Sequence, residues 1–291
     1  MLELLTIIYK WKWHIGIICV LAVLASVIFS GPKFMPPYYE SFSIFYPSNP
    51  AATDRSTLFG EDAGNRQVSY FGTKSDVNRM LTIANSGGLM NHIIEKHDLV
   101  NHYNVNTDNP KHLFYVGREF QGNYEAIKTD KEAIQIRILD QDPEKASLMV
   151  NDVVSYINEV NNAILRDNKS RTITIFDKEL KEKEAEIIEL NTELKGLNNA
   201  TQNSGRIQFV NSRIESLTEE INDLQKLYDQ YKISADEGFA SIYLIETAAP
   251  ALTKSKPVRW MIVAFTGLGA FAFSVLLAII LEKFKEVKAN I

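Results

Sequence analysis

The sequence predicts an α+β domain carrying a long, coiled-coil-like antiparallel helical hairpin, flanked by two transmembrane helices. Three observations lead there. An uncharged apolar run stands near each end of the chain, short alternating segments read as strands, and two long 3-4 apolar stripes are separated by a short polar turn.

The first run extends from Trp13 to Ser30, about 18 residues, near the lower limit for a spanning helix. Lys10, Trp11, Lys12 and Trp13 stand at its start, and Gly31-Pro32 and Pro36-Pro37 end it. A cleaved signal peptide is the competing reading, for which Ile28-Phe29-Ser30 is a poor cleavage site. Cys19, the one cysteine, lies inside this run, where bulky Ile18 before it disfavours lipid attachment. The second run, Trp260 to Leu281, is followed by Lys283, Lys285 and Lys288. Lysines at both outer ends place both termini in the cytoplasm, which puts the middle on the far side of the membrane. Net charge is −5, and without the terminal lysines and glutamates the middle carries about −7. No basic block suggests a nucleic-acid partner.

Within the middle, Tyr39 to Pro47 alternates as a strand, and residues 48–72 read as loop. Thr73-Lys-Ser-Asp76 opens a helix carrying Val77, Met80, Leu81 and Ala84; Gly87-Gly88 interrupts, and a second helix covers Leu89 to His97. Ala133 to Leu139 reads as a second strand on the alternation of Ile134, Ile136 and Ile138. Asp142 then caps a helix whose first residue is Pro143, with Glu144 complementing the dipole.

The first long arm keeps apolar spacing through Val150, Val153, Ile157, Val160 and Ile164. After a phase break it continues through Ile173, Phe176, Leu180, Ile187, Leu190, Leu194 and Leu197, with Lys183 the one polar member. Residues 198–205 form the turn, and Ile207, Val210, Ile214, Leu217, Ile221, Leu224, Tyr228 and Tyr231 mark the return arm. The first arm reaches about 80 Å and the return arm is about half as long. Either the base or a neighbouring copy must therefore cover the lower apolar stretch. Ala240 to Thr247 reads as a closing strand beside the first.

The expected division is a cytoplasmic N-terminus (1–12), transmembrane helix 1 (13–30), a membrane-proximal α/β base (31–142) and the hairpin (143–237). A return strand and proline-containing linker (238–258), transmembrane helix 2 (259–281) and a cytoplasmic tail (282–291) complete it.

Catalytic signatures are missing. There is no phosphate-binding P-loop, G-x-S-x-G elbow, H-E-x-x-H or cysteine pair, and His92, His97 and His102 are spread around a helix. No catalytic, cofactor or metal residue is expected.

Two local motifs carry a resemblance. Asp142-Pro143-Glu-Lys-Ala146 with Asn151 is similar to the D-P-x-x-A…N pattern of the Wzz-type polysaccharide chain-length determinants, or polysaccharide co-polymerases. Ala248-Ala-Pro250, Lys256-Pro257, and Gly267 and Gly269 resemble that family's proline-rich approach to its second span. The resemblance implies a kinase-free, two-pass protein of the bacterial inner membrane with a periplasmic main domain. It further implies a homo-oligomeric ring acting on a Wzy-type polymerase, in contact with a lipid-linked glycan, to set the length of an O-antigen or capsule polysaccharide. Thr266, Ala270, Ser274 and Ala278 recur every fourth residue as a small-residue stripe. With Pro250, Pro257, Gly267 and Gly269 they are the expected contact with a neighbour or the polymerase. An export or activator subunit coupled to a separate kinase is the alternative. A ligand-sensing role leaves the ten-residue tail as the only output segment.

Overall fold

The computed structural model describes residues 2–49, 69–197, 203–236 and 241–289. Most of the expected loop over 48–72, the hairpin turn from Asn198 to Gln202, and the region around Gly238 and Ala240 lie outside the described residues. The chain packs as two units, one drawn from residues 1–41, 138–148 and 249–291, the other from 42–137 and 149–248.

In the first unit, α1 (Leu2–Lys10) leads through Trp11 into α2 (Lys12–Phe29), and α9 (Arg259–Ala289) packs along both. Two helices, Lys12–Phe29 and Arg259–Phe284, are long and apolar enough to cross a membrane. Their outward faces are apolar and exposed, as lipid contact requires, with Ile17, Leu21, Leu24, Phe265, Leu268 and Leu276 all more than half exposed. α1 has no counterpart in the sequence reading, and α9 continues through the segment read as a tail.

The second unit holds most of a four-stranded sheet in the order β2-β3-β1-β4, formed by β1 (Tyr39–Pro47), β2 (Tyr124–Lys128), β3 (Ile134–Asp140) and β4 (Ile242–Glu246). β1 and β4 pair antiparallel, with Phe45 opposite Leu244 and Pro47 opposite Ile242, and a bulge between Ile44 and Phe45. The chain thus enters and leaves the region between its two long apolar helices on neighbouring strands, as the closing-strand reading expects. On β3 the isoleucines at 134, 136 and 138 are fully buried. On β1 the buried set is Ser41, Ser43, Phe45 and Pro47, while Phe42, Ile44 and Tyr46 are half-covered. The serines tolerate burial because their hydroxyls donate to the Ala249 and Glu246 carbonyls, at 2.8 and 2.6 Å. Tyr46 instead meets Phe71, whose ring meets Tyr243 edge-on.

Helices α3 (Lys74–Ala84), α4 (Gly87–Lys96), α5 (Leu99–His102) and α6 (His112–Asn123) complete the base. Thr73 and Asp76 form a reciprocal capping box at the start of α3. Gly87 and Gly88 do not break the helix before them from the one after; they are the first turn of α4, capped by Ser86. A Cβ at Gly88 would stand 2.9 Å from the Tyr156 hydroxyl, so a larger residue there would displace the tip of that ring.

Pro143 opens α7 (Pro143–Gly196), a single helix of 54 residues, and α8 (Ser204–Asp236) returns with 33, longer than the stripe alone indicates. Asp142 Oδ1 accepts the Glu144 and Lys145 N–H groups at 2.9 and 3.2 Å, the predicted cap. The arms are antiparallel: Arg206 forks onto Glu193, Arg213 meets Glu186, Lys183 meets Glu220, and Phe176 stands edge-on to Tyr231. Val210, Leu217 and Leu180 are buried between them. The lower apolar stretch of α7 is covered by the base: Met149, Val150, Val153, Ile157 and Asn161 are at most 1% exposed. A neighbouring copy is therefore not required to cover Val150, Val153 or Ile157.

Candidate functional site

Two places join the segments that carried the sequence motifs. The first is a polar clamp on β4. Asn151 Nδ2 donates to the Ala248 carbonyl and Asn151 Oδ1 accepts the Ala248 N–H, both at 3.1 Å. Seven residues on, and so on the same face of α7, Asn158 Oδ1 accepts the Ser241 hydroxyl at 2.7 Å. Two asparagines two turns apart thus bracket β4. An amide carries its donor and its acceptor on two neighbouring atoms, so Asn151 satisfies both main-chain groups of one residue. The Asn of the first motif and the Ala that opens the second are direct partners.

Further along α7, Asn161 is fully buried and accepts from Arg79 Nε at 2.8 Å, while Arg79 Nη2 donates to Asp76 at 2.7 Å. Burial pushes the Asp76 carboxyl up, but hydrogen bonds from Thr73 and Arg79 outweigh it and hold the carboxyl below its usual range. Lys96 and His97 both engage Asp152, at 2.8 and 2.7 Å. His92 packs on Tyr156 and His102 on Tyr103, so the three histidines do not converge. Among the described residues no group of three metal-ligating side chains assembles. A shallow cavity of about 290 Å³ lies between α4 and α6, lined by Ser86, Met90, Phe120, Gln121, Tyr124 and Glu125. Tyr124 there donates to the Ala84 carbonyl at 2.7 Å, and burial pushes its phenol up.

The second place is the anchor pair. Lys10 forms an ion pair with Glu282, and Trp11 Nε1 donates to the other Glu282 oxygen at 3.0 Å. The start of the first apolar helix therefore lies beside the end of the second, and the two run antiparallel. The structure brings the small-residue stripe together on one face of α9. Ser274 and Ala278 are buried, Thr266, Gly267 and Ala270 are partly covered, and a Cβ on Gly267 would stand 3.6 Å from Val23. The helices packed on α9 are α2 and α1, so this stripe seats the chain's own first span. Gly269 lies off the stripe, with nothing within 4 Å of a Cβ there. Pro250 is exposed and Pro257 partly covered, in the linker ahead of α9, and the Lys256–Pro257 bond is cis.

The fold and these sites define a class: a chain with two helices long and apolar enough to cross a membrane, and between them a small sheet with a long helical hairpin. Its structural neighbours are polysaccharide co-polymerases and Wzz O-antigen chain-length regulators. One is a full-length bacterial polysaccharide co-polymerase, 10% identical, covering 98% of each chain with a TM-score of 0.47. A fragment of WzzB, the polysaccharide co-polymerase from Salmonella Typhimurium, is also 10% identical; the match covers 76% of this chain and all of that one, with a TM-score of 0.38. A point mutant of the Shigella flexneri lipopolysaccharide O-antigen chain-length regulator matches at 10% identity over 75% of this chain and all of that one, with a TM-score of 0.34. No family model and no curated protein matches the sequence.

Proposed function

We propose that this protein regulates the chain length of a surface polysaccharide of O-antigen or capsule type, as a non-catalytic co-polymerase of the bacterial inner membrane. In this reading both termini lie in the cytoplasm and residues 31–258 in the periplasm. Copies assemble into a ring that works on a Wzy-type polymerase. The observation that carries the reading is the direct pairing of Asn151 with Ala248. It makes one structural unit of the two motifs that resemble the chain-length determinants, at the point where the hairpin's root meets the strand returning to the membrane.

Two further features support it. Among the described residues β4 is an edge strand, on which Leu244 and Ile245 are 48% and 61% exposed, and unpaired apolar edges invite a second chain. The ends of the two spans meet at Lys10 and Glu282, which agrees with termini on a common side. Pro250, Pro257 and Gly269 are proposed to face a neighbour or the polymerase. Thr266, Gly267, Ala270, Ser274 and Ala278 would shape that contact by setting how closely the two spans approach.

The test is a glycan ladder. Deleting the gene is expected to replace a preferred length with a broad, featureless distribution, and restoring it on a plasmid to bring the preferred length back. A distribution unchanged by deletion overturns the proposal.

A further inference from the structure

At the opposite ends of the anchor pair from Lys10 and Glu282, the two segments that lead out of α2 and into α9 carry four cations. Lys33 lies just after α2, Lys254 and Lys256 in the approach to α9, and Arg259 is the first residue of α9. The register that sets Lys10 against Glu282 and Val23 against Gly267 brings the end of α2 beside the start of α9. The two connecting segments are also bonded. Tyr38 donates its N–H to the Lys256 carbonyl at 3.0 Å and accepts the Ser255 N–H at 2.8 Å.

None of these four side chains has an ion-pair partner among the described residues, and the buried Nε of Arg259 has no hydrogen-bond partner. The carboxylates of Asp140 and Asp142 are occupied by backbone N–H groups at the cap of α7. Phe34 and Trp260, 60% and 71% exposed, stand beside Lys33 and Arg259, at the level where aromatic side chains settle among lipid headgroups. In the proposed topology this is the translocated side. Basic residues there oppose the orientation bias set by the terminal lysines, so topology alone gives no reason for them.

We propose that this cationic collar binds the diphosphate of a lipid-linked glycan in the outer leaflet. A phosphodiester headgroup carries one negative charge; a diphosphate carries more charge and more acceptor oxygens, and matches a set of four cations better. The Arg259 guanidinium offers a planar fork to two phosphate oxygens, and the three lysines act as mobile point charges around it. The inference rests on the proposed function, which places a lipid-linked glycan beside this chain.

The test uses the full chain in nanodiscs of neutral phosphatidylcholine. Polyprenyl diphosphate, phosphatidylglycerol and uncharged polyprenol are added separately, and retained lipid is counted by native mass spectrometry. Polyprenyl diphosphate is expected to be retained about tenfold better than phosphatidylglycerol, with a loss of about fivefold for each cation removed. The variant with Lys33→Gln, Lys254→Gln, Lys256→Gln and Arg259→Gln should retain none, and the variant with all three lysines changed to Arg should retain it as the parent does. Equal retention of the two anionic lipids overturns the inference, because the collar then reads bulk phospholipid. Retention unchanged in the Gln variant, or lost in the Arg variant, also overturns it. Failure here with a glycan ladder that still depends on the gene removes this inference alone. Binding without any effect on the ladder removes the functional reading instead.

Discussion

Replacing Asn151 with Ala removes both hydrogen bonds that hold Ala248 against α7. Ala248 is 7% exposed, so its N–H and carbonyl lose their partners where water has little access. A buried main-chain group left without a partner costs about 1–3 kcal/mol, and the two together about 2–4 kcal/mol, since the vacated side-chain volume admits some water. The loss is local first: Ala248 follows β4, which is held along one edge by β1 and at its other end by Asn158. Urea unfolding of the full chain in detergent, followed by circular dichroism, measures the total. Amide exchange over residues 241–248 locates it. Asn151→Asp sharpens the test, because it keeps an acceptor for the Ala248 N–H but sets a carboxylate against the Ala248 carbonyl. That repulsion raises the new carboxyl's folded-state pKa, so the variant should regain stability as pH falls and the acid form donates. A change of less than about 0.5 kcal/mol in Asn151→Ala, with exchange in β4 unaltered, would refute the clamp.

Leu217→Ala empties a fully buried position between the hairpin arms and should cost about 2–4 kcal/mol, read as faster amide exchange in α7 and α8 with the base unaffected. Asp76 has a depressed folded-state pKa, so its contribution is present above the usual carboxylate range and is lost as pH falls through the lowered value. The stability gap between the parent and Asp76→Asn is therefore expected at neutral pH and should close in acid; a gap independent of pH counts against the Thr73–Arg79 network. Gly267→Ala should be tolerated, since its Cβ meets Val23 at an ordinary 3.6 Å, whereas Gly267→Leu should push the spans apart. Cysteine cross-linking between α2 and α9 would register the difference.

The elements legible in the sequence are those whose local chemistry and packing agree. The capping residues Thr73, Asp76 and Asp142, the alternating isoleucines of β3 and the stripes of α7 and α8 each appear where their pattern places them. α6 escapes a local reading because only Val116 and Phe120 are buried, while its neighbours Leu113 and Phe114 are exposed and blur the period. β2 has no buried residue to mark it, being an edge strand with a polar pattern. On β1 the alternation is clear but not its direction: serines occupy the buried face because main-chain carbonyls of the returning segment accept their hydroxyls. Such long-range partners are invisible to local spacing. The same holds for the clamp, whose members are 97 residues apart, and for the stripe on α9, whose pattern announces close packing without saying on what.

If this chain carries the information for glycan length, that information should travel with its gene. The most direct measurement keeps one strain and one polymerase and exchanges only this gene for a co-polymerase with a different preferred length, then compares the glycan ladders. The preferred length is expected to change with the exchanged chain and to return when this one is restored. A preferred length that stays with the strain, whichever chain is present, would contradict the proposed role.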